Sequence, residues 1–376
     1  MRAKMETGKP LLRLLLLYTI TVSVLVISPT CAGAPLQYST MFVFGDSLVD
    51  DGNNNYLSSL AKANYLPYGV DFFGGPSGRF CNGKTIIDFL GELLGLPYLP
   101  PYVNTIGNDR SILRGVNFAS AAAGILDVSG SQLGDRFTLN QQIANFENTV
   151  NQLKNPMEEK ELREFLAKSL VVMNIGSNDY LNNYLLPSIY PTSSIYNPRE
   201  FADLLIRNYT AQILMLHGLG VRKFLIGAVG PLGCMPNQIA RVDPPPPPGK
   251  CVTDVNELVS LFNTRLVSLV DQLNSRISIL GAVFVYGNTF DLFTSILNRA
   301  ESYGFKVVDR GCCGIGRNRG QITCLPLAFP CLNRDEYVFW DAFHPTQAFN
   351  KIIAQRVYSG PTSDCYPMNL HQMAQL

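Results

Sequence analysis

The chain has 376 residues, 47% of them hydrophobic and only 16% charged, against about 25% charged in an average soluble protein; it is charge-poor but apolar enough to fold. Thirty Lys plus Arg against 29 Asp plus Glu leave a formal net charge of +1. That balance excludes the clustered cationic excess of a nucleic-acid binder or a polybasic membrane-surface protein.

At the amino terminus Arg2, Lys4, Lys9 and Arg13 precede an uncharged apolar run from Leu14 to Ile27, and small residues follow at Cys31, Ala32, Gly33 and Ala34. This is the layout of a secretory signal peptide. As a helix the run rises only about 21 Å, short of a ~30 Å bilayer core, which argues against an anchor. Residues 1–34 are therefore expected to be a signal, cut after Ala32 or Ala34, and 35–376 a single secreted domain with no stable membrane span. Without Cys31, eight cysteines remain: Cys81, Cys234, Cys251, Cys312, Cys313, Cys324, Cys331 and Cys365. An even number in an oxidising compartment reads as disulfides, although eight thiols allow 105 pairings. The cluster Cys312, Cys313, Cys324 and Cys331 lacks the C-x-x-C knuckle of a zinc site, so no metal is expected there. The sequon Asn208-Tyr209-Thr210 is a glycan acceptor only if it is exposed.

Short apolar, β-branched runs at Thr40 to Phe44, Gly115 to Phe118, Leu170 to Ile175, Lys223 to Ile226 and Ala282 to Tyr286 read as strands of a parallel sheet covered on both faces. Helical patterns lie at Thr85 to Leu94, Leu139 to Leu153, Pro198 to Leu216, Val255 to Arg276, Thr289 to Ala300 and Thr346 to Tyr358. In the fourth, Leu258, Leu261, Phe262, Leu266, Leu269, Val270 and Leu273 recur at three- and four-residue steps, one buried face. The alternation predicts one three-layer α/β/α domain around a mostly parallel five-stranded sheet. Tyr180 to Asn197, rich in Tyr and Pro, reads as an ordered loop, and the five prolines between Asp243 and Gly249 as a stiff spacer.

Three segments bear chemistry. Asp341-Ala342-Phe343-His344 precedes the last helix, with Pro345 suited to the first helical position and His344 near the cap. An Asp three residues ahead can accept from one imidazole nitrogen and leave the other as a proton acceptor. His217 ends a helix and His371 lies in a polar tail, so His344 is the base if there is one. Gly45-Asp46-Ser47-Leu48 follows the first strand at its carboxyl end, where open parallel sheets bind ligands, although Ser47 could equally cap a helix. Gly176-Ser177-Asn178-Asp179 follows the third strand, where an Asn amide can donate to a developing oxyanion or merely form an Asx turn.

Together with Asn117 to Gly124, these segments resemble, in order, the four blocks of the GDSL or SGNH hydrolases. Phe44 to Asn54 resembles the plant GDSL esterase/lipase branch in particular. The resemblance implies a flavodoxin-like fold and ester hydrolysis without metal or organic cofactor, on a small-molecule or polymer-borne ester, in the extracellular space or plant cell wall. It implies Ser47 as nucleophile, His344 as base and Asp341 as its orienting carboxylate. The oxyanion hole would comprise the Ser47 N–H, the Asn178 amide and a backbone N–H of the second block. There Ala122 stands where the family has glycine, so a methyl enters the site, and a φ above zero would strain it. The α/β-hydrolase G-x-S-x-G, the zinc-protease H-E-x-x-H and the nucleotide-binding glycine fingerprints are missing. Two other readings remain: acyl transfer by the same residues, and a non-catalytic binding protein on the same scaffold. Tyr180 to Asn197 is expected either to shape the acyl or alcohol groove, because it follows Asn178, with Tyr184 and Tyr190 as its test positions, or to be a packed surface loop.

Overall fold

The computed structural model describes residues 38–106, 109–277 and 281–376; the expected signal segment and Cys31 lie outside them. The first strand, β1 (Met41–Gly45), is buried along its length, as an apolar run in the middle of a covered sheet must be. It is joined by β2 (Val116–Asn117), β3 (Leu170–Asn174), β4 (Lys223–Gly227) and β5 (Val283–Gly287), all parallel, in the order β2, β1, β3, β4, β5. The five expected strands thus form. Strands β6 (Val307–Gly311) and β7 (Tyr337–Phe339) make a separate pair, and β8 (Cys365–Tyr366) adds a sixth, antiparallel strand beside β5. None of these three was expected: β8 has only two residues, and β6 carries Asp309 and Arg310 on a half-exposed strand, so neither shows an apolar run.

The register places Phe42, Val171 and Phe224 in one row and Val43, Val172 and Leu225 in the next, so adjacent rows face opposite layers. Phe42 and Phe44 meet Phe146 of helix Leu139–Leu153, with ring centroids 4.9 and 5.6 Å apart. Fully burying each such ring is worth on the order of 2 kcal/mol before the aromatic geometry adds about 1 more. Val172 and Leu225 border Ile86 and Leu90 of helix Ile86–Leu94 and Ile353 of helix Gln347–Ser359 on the other face. Capping fixes where these helices begin. Thr85 and Asp88 form a capping box, as do Thr138 with Gln141 and Asn197 with Glu200, the last ahead of Pro198. Helix Glu159–Lys168 was not expected, because only Leu162 and Leu166 are buried on it among charged neighbours.

Two expectations are corrected. Three disulfides form, Cys234–Cys251, Cys312–Cys331 and Cys313–Cys324, but Cys81 and Cys365 are free thiols. Each is buried, Cys81 against the Gly83 carbonyl and Cys365 against that of Val357, and burial pushes both thiols up to about 12. They behave as small core residues, which parity cannot reveal. The helix expected from Thr346 also starts later, at Gln347 with Thr346 as its cap, because the Thr346 N–H bonds the Val338 carbonyl and holds 344–346 extended against β7. Asn208 lies inside helix Pro198–Gly218, half-buried, with its Nδ2 donating to the Leu204 carbonyl, so exposure, the condition on its use as an acceptor, is only half met.

Candidate active site

In a sheet of order 2-1-3-4-5, connections leave β1 and β3 in opposite directions and open a crevice at their carboxyl ends. Ser47 follows β1 and Asn178 follows β3, so both stand at that crevice. Gly45 closes β1 where it must: a Cβ there would lie 2.4 Å from the Asn174 carbonyl oxygen. Its N–H and C=O are both taken by the side chain of buried Gln142, at 2.9 Å each. Just beyond, burial pushes the Asp46 carboxyl up to about 7, opposed by a hydrogen bond from the Leu48 N–H and by His344.

His344 arrives from the other end of the chain. Its Nε2 lies 2.8 Å from Ser47 Oγ, and its Nδ1 lies 2.8 and 2.9 Å from the two oxygens of Asp341. An ionised carboxylate only accepts, so Nδ1 carries the proton and Nε2 is left to accept from the serine hydroxyl. Asp341 is fully buried, yet five donors converge on it. The N–H groups of Phe343 and His344 reach Oδ1 at 2.8 Å, the Tyr68 and Thr323 hydroxyls reach Oδ2 at 2.5 and 2.9 Å, and the imidazole is the fifth. Burial raises its pKa, but the imidazole of His344 beside it and these bonds outweigh burial and hold the carboxyl below the ordinary value. Phe80 covers the imidazole at 5.0 Å between ring centroids. Its neighbour Arg79 is locked by a bidentate pair with Asp88, both bonds 2.7 Å, so the cover is rigid.

Ser47, Ala122, Asn178 and His344 line one cavity of about 190 Å³. Asn178 Nδ2 donates to the Ala123 carbonyl at 3.0 Å while its Oδ1 accepts from Asn182 at 2.6 Å, which fixes the flip of the amide and leaves its second N–H uncommitted. Among the described residues, no acceptor takes the backbone N–H of Ser47 or of Ala122. Three donors with nothing to bond, at one cavity, are what a developing oxyanion requires.

Residues 41–357 match the family described as GDSL-like lipase/acylhydrolase. The chain belongs to that family. A GDSL esterase/lipase of Arabidopsis thaliana is 58% identical to it over 342 residues, covering 90% of this chain and 88% of the relative. A second from the same plant is 54% identical over 361 residues and covers 96% of each chain, and GDSL esterase/lipase 7 of that plant is 50% identical over 340 residues, 89% of this chain and 92% of its own.

Within this GDSL family member, Ala122 has φ of +69°, the left-handed region that costs a residue with a Cβ on the order of 1 kcal/mol. Side chains from the turn after Ser47 hold it there. Asp50 Oδ2 accepts from the Ala121 N–H at 3.1 Å, Asn54 donates to the Ala121 carbonyl at 3.1 Å, and Asn53 donates to the Ala119 carbonyl at 2.7 Å. Burial pushes the Asp50 carboxyl up to about 6, against hydrogen bonds from Gly52, Asn53 and Ala121. Asp179, likewise pushed up by burial to about 6, accepts from Ile125, Leu126 and the Ser129 hydroxyl, and so ties the Asn178 turn to the same loop. Tyr68, Thr323, Phe80 and Asn182 escaped the reading of the sequence: Tyr68 and Phe80 reach Asp341 and His344 from more than 260 positions away, and Thr323 and Asn182, nearer in the chain, carry no motif of their own. His217 and His371 do not line the cavity.

The segment Tyr180 to Asn197 reaches the cavity, but not through Tyr184 and Tyr190. Residues 180–184 form a π-helical turn, Tyr184 stacks on Phe201 at 4.6 Å, and Tyr190 bonds Ser131 and Gln132, so neither lines the cavity. Leu181 and Asn182 do, because the turn places Tyr180 and Tyr184 in the core and these two beside the cavity. Leu181→Ala is accordingly expected to shift chain-length preference several-fold across a p-nitrophenyl ester series. Tyr184→Ala should instead lose about 3 kcal/mol in thermal unfolding with preference unchanged; the reverse pattern would return the groove to the tyrosines.

Proposed function

We propose that this chain, an ester hydrolase by family, works as a secreted serine hydrolase with Ser47 as nucleophile, His344 as general base and Asp341 as the carboxylate that orients it. The observation that carries the reading is the unbroken line from Asp341 through His344 to Ser47 Oγ, each link at 2.8 Å, at a cavity with uncommitted donors. Attack by Oγ on the ester carbon transfers its proton to Nε2, which general-base help makes on the order of 10²- to 10⁴-fold faster. Charge then develops on the former carbonyl oxygen, where the Ser47 and Ala122 N–H groups and the Asn178 amide receive it, each worth on the order of 10²-fold or more. Collapse expels the alcohol, which takes the proton from Nε2. Water, deprotonated by the same nitrogen, frees the acid from the acyl-serine and restores the hydroxyl.

The cavity supports an apolar acyl or alcohol part, since Leu48, Leu60, Leu133, Leu181, Met235 and Phe343 wall it, with Asp46 and Lys62 the only acidic and basic side chains besides the His344 imidazole. Secretion is supported by the charged, apolar and small-residue layout of 1–34, and by three disulfides, which suit an oxidising compartment. Among the described residues no helix is long and apolar enough to cross a membrane. A fluorophosphonate probe tests the assignment directly: digestion and mass spectrometry should recover one adduct, on the peptide holding Ser47. Failure to label under conditions that label a known serine esterase would discard it.

A further inference from the structure

The segment tied down by Cys312–Cys331 and Cys313–Cys324 turns its apolar side chains away from the protein. Leu327, Phe329 and Leu332 are 80%, 94% and 93% exposed, and Ile322 and Leu325 are exposed beside them. From Gly320 to Asn333 there is no charged residue. Large apolar side chains bared together are unusual on a soluble surface and mark a place where something apolar binds. The two disulfides, with Pro326 and Pro330, keep the segment from folding those side chains inward. Leu327 is even held at φ of +61°, a backbone state unfavourable for leucine, while its N–H bonds the Leu66 carbonyl at 2.8 Å.

The inner side of the same segment belongs to the catalytic cavity. Thr323 lines it and donates to Asp341, and the Tyr65 hydroxyl donates to the Cys324 carbonyl at 2.9 Å. The strip that carries Tyr65 adds exposed Leu66 and Leu60, the latter 81% exposed and itself a wall of the cavity. Two strips joined by hydrogen bonds therefore carry bared apolar groups from the cavity wall outward, with Lys62 and Asn64 between Leu60 and Leu66. A protein partner would find almost no polar or charged side chain here to set its orientation, whereas an acyl phase needs none.

We propose that residues 320–333, with Leu60 and Leu66, form an interfacial docking surface that seats the hydrolase on aggregated acyl lipid, the cavity opening toward the lipid. The proposal rests on the reading of that cavity as the ester site, but binding is measurable without catalysis. The test is flotation of full-length Ser47→Ala protein with emulsified long-chain triacylglycerol. It is compared with the same protein carrying Leu327→Asn, Phe329→Ser and Leu332→Ser, three exposed positions at which the thermal midpoint should not fall. The substituted surface is expected to partition at least roughly tenfold more weakly, since each buried apolar side chain contributes about that factor. With Ser47 intact, hydrolysis of soluble p-nitrophenyl acetate should be the same with either surface. Equal flotation overturns the proposal. So does an equal loss on the soluble ester, or a dimer of the unsubstituted protein, seen by sedimentation, that the three substitutions abolish. If Ser47 proves not to be the nucleophile, flotation still reports on the surface.

Discussion

Ser47→Ala is expected to lower kcat on a p-nitrophenyl ester by at least ~10³-fold with KM little changed. The hydroxyl makes one side-chain bond, to His344 Nε2, and no core packing depends on it, so the variant should unfold at the wild-type temperature. A residue of activity above the uncatalysed rate should persist, because the Ser47 and Ala122 N–H groups and the Asn178 amide are untouched and water can still enter beside His344. His344→Ala should lose a similar factor, and the double variant little more, since nucleophile and base act as one unit. Equal rates for wild type and Ser47→Ala would remove the serine from the mechanism. A multiplied loss in the double variant would instead mean that the two residues act separately.

The meeting of Ser47 and His344, 297 positions apart, was legible because each sits on a local signal: a strand followed by a glycine turn, and an aspartate three residues ahead of a histidine before a helix. Position at the carboxyl ends of β1 and β3 follows from strand order, which apolar runs alone suggest. Asn178 was legible for the same reason. What lay beyond reach is what topology assembles from afar. Tyr68 and Thr323 carry no signal of their own and matter only because a disulfide-held segment brings Thr323 to Asp341 while Tyr68 comes from 273 residues upstream.

Ala122 stands between these cases. Its position in the block was readable and so was the strain that a positive φ would bring, but not the means of bearing it. Asp50, Asn53 and Asn54, conspicuous in the sequence as an acidic and amide-rich run, turn out to bond the backbone just ahead of Ala122, at Ala119 and Ala121. This polar run is buried and holds the conformation of a neighbouring segment.

Asp341→Asn is expected to cost on the order of 10⁴-fold in kcat while leaving the fold intact. The reason lies in the donors around the carboxylate. Oδ1 faces the N–H groups of Phe343 and His344, which cannot become acceptors, so the amide oxygen of Asn must take that place. The amide nitrogen is then forced to the Oδ2 place, where the Tyr68 and Thr323 hydroxyls can rotate to accept from it. That place is 2.9 Å from His344 Nδ1, so an amide N–H that favours an unprotonated nitrogen now competes with the amide oxygen 2.8 Å from the same Nδ1, and the protonated Nδ1 loses its advantage. The imidazole proton moves to Nε2, and the nitrogen facing Ser47 becomes a donor instead of a base. The tautomer is observable: the Nε2-bound form should replace the Nδ1-bound form in the ¹⁵N spectrum of the imidazole. A variant with the wild-type tautomer but the full loss of rate would show that Asp341 acts by its charge and not by orientation. An unaltered rate would remove it from the site's chemistry.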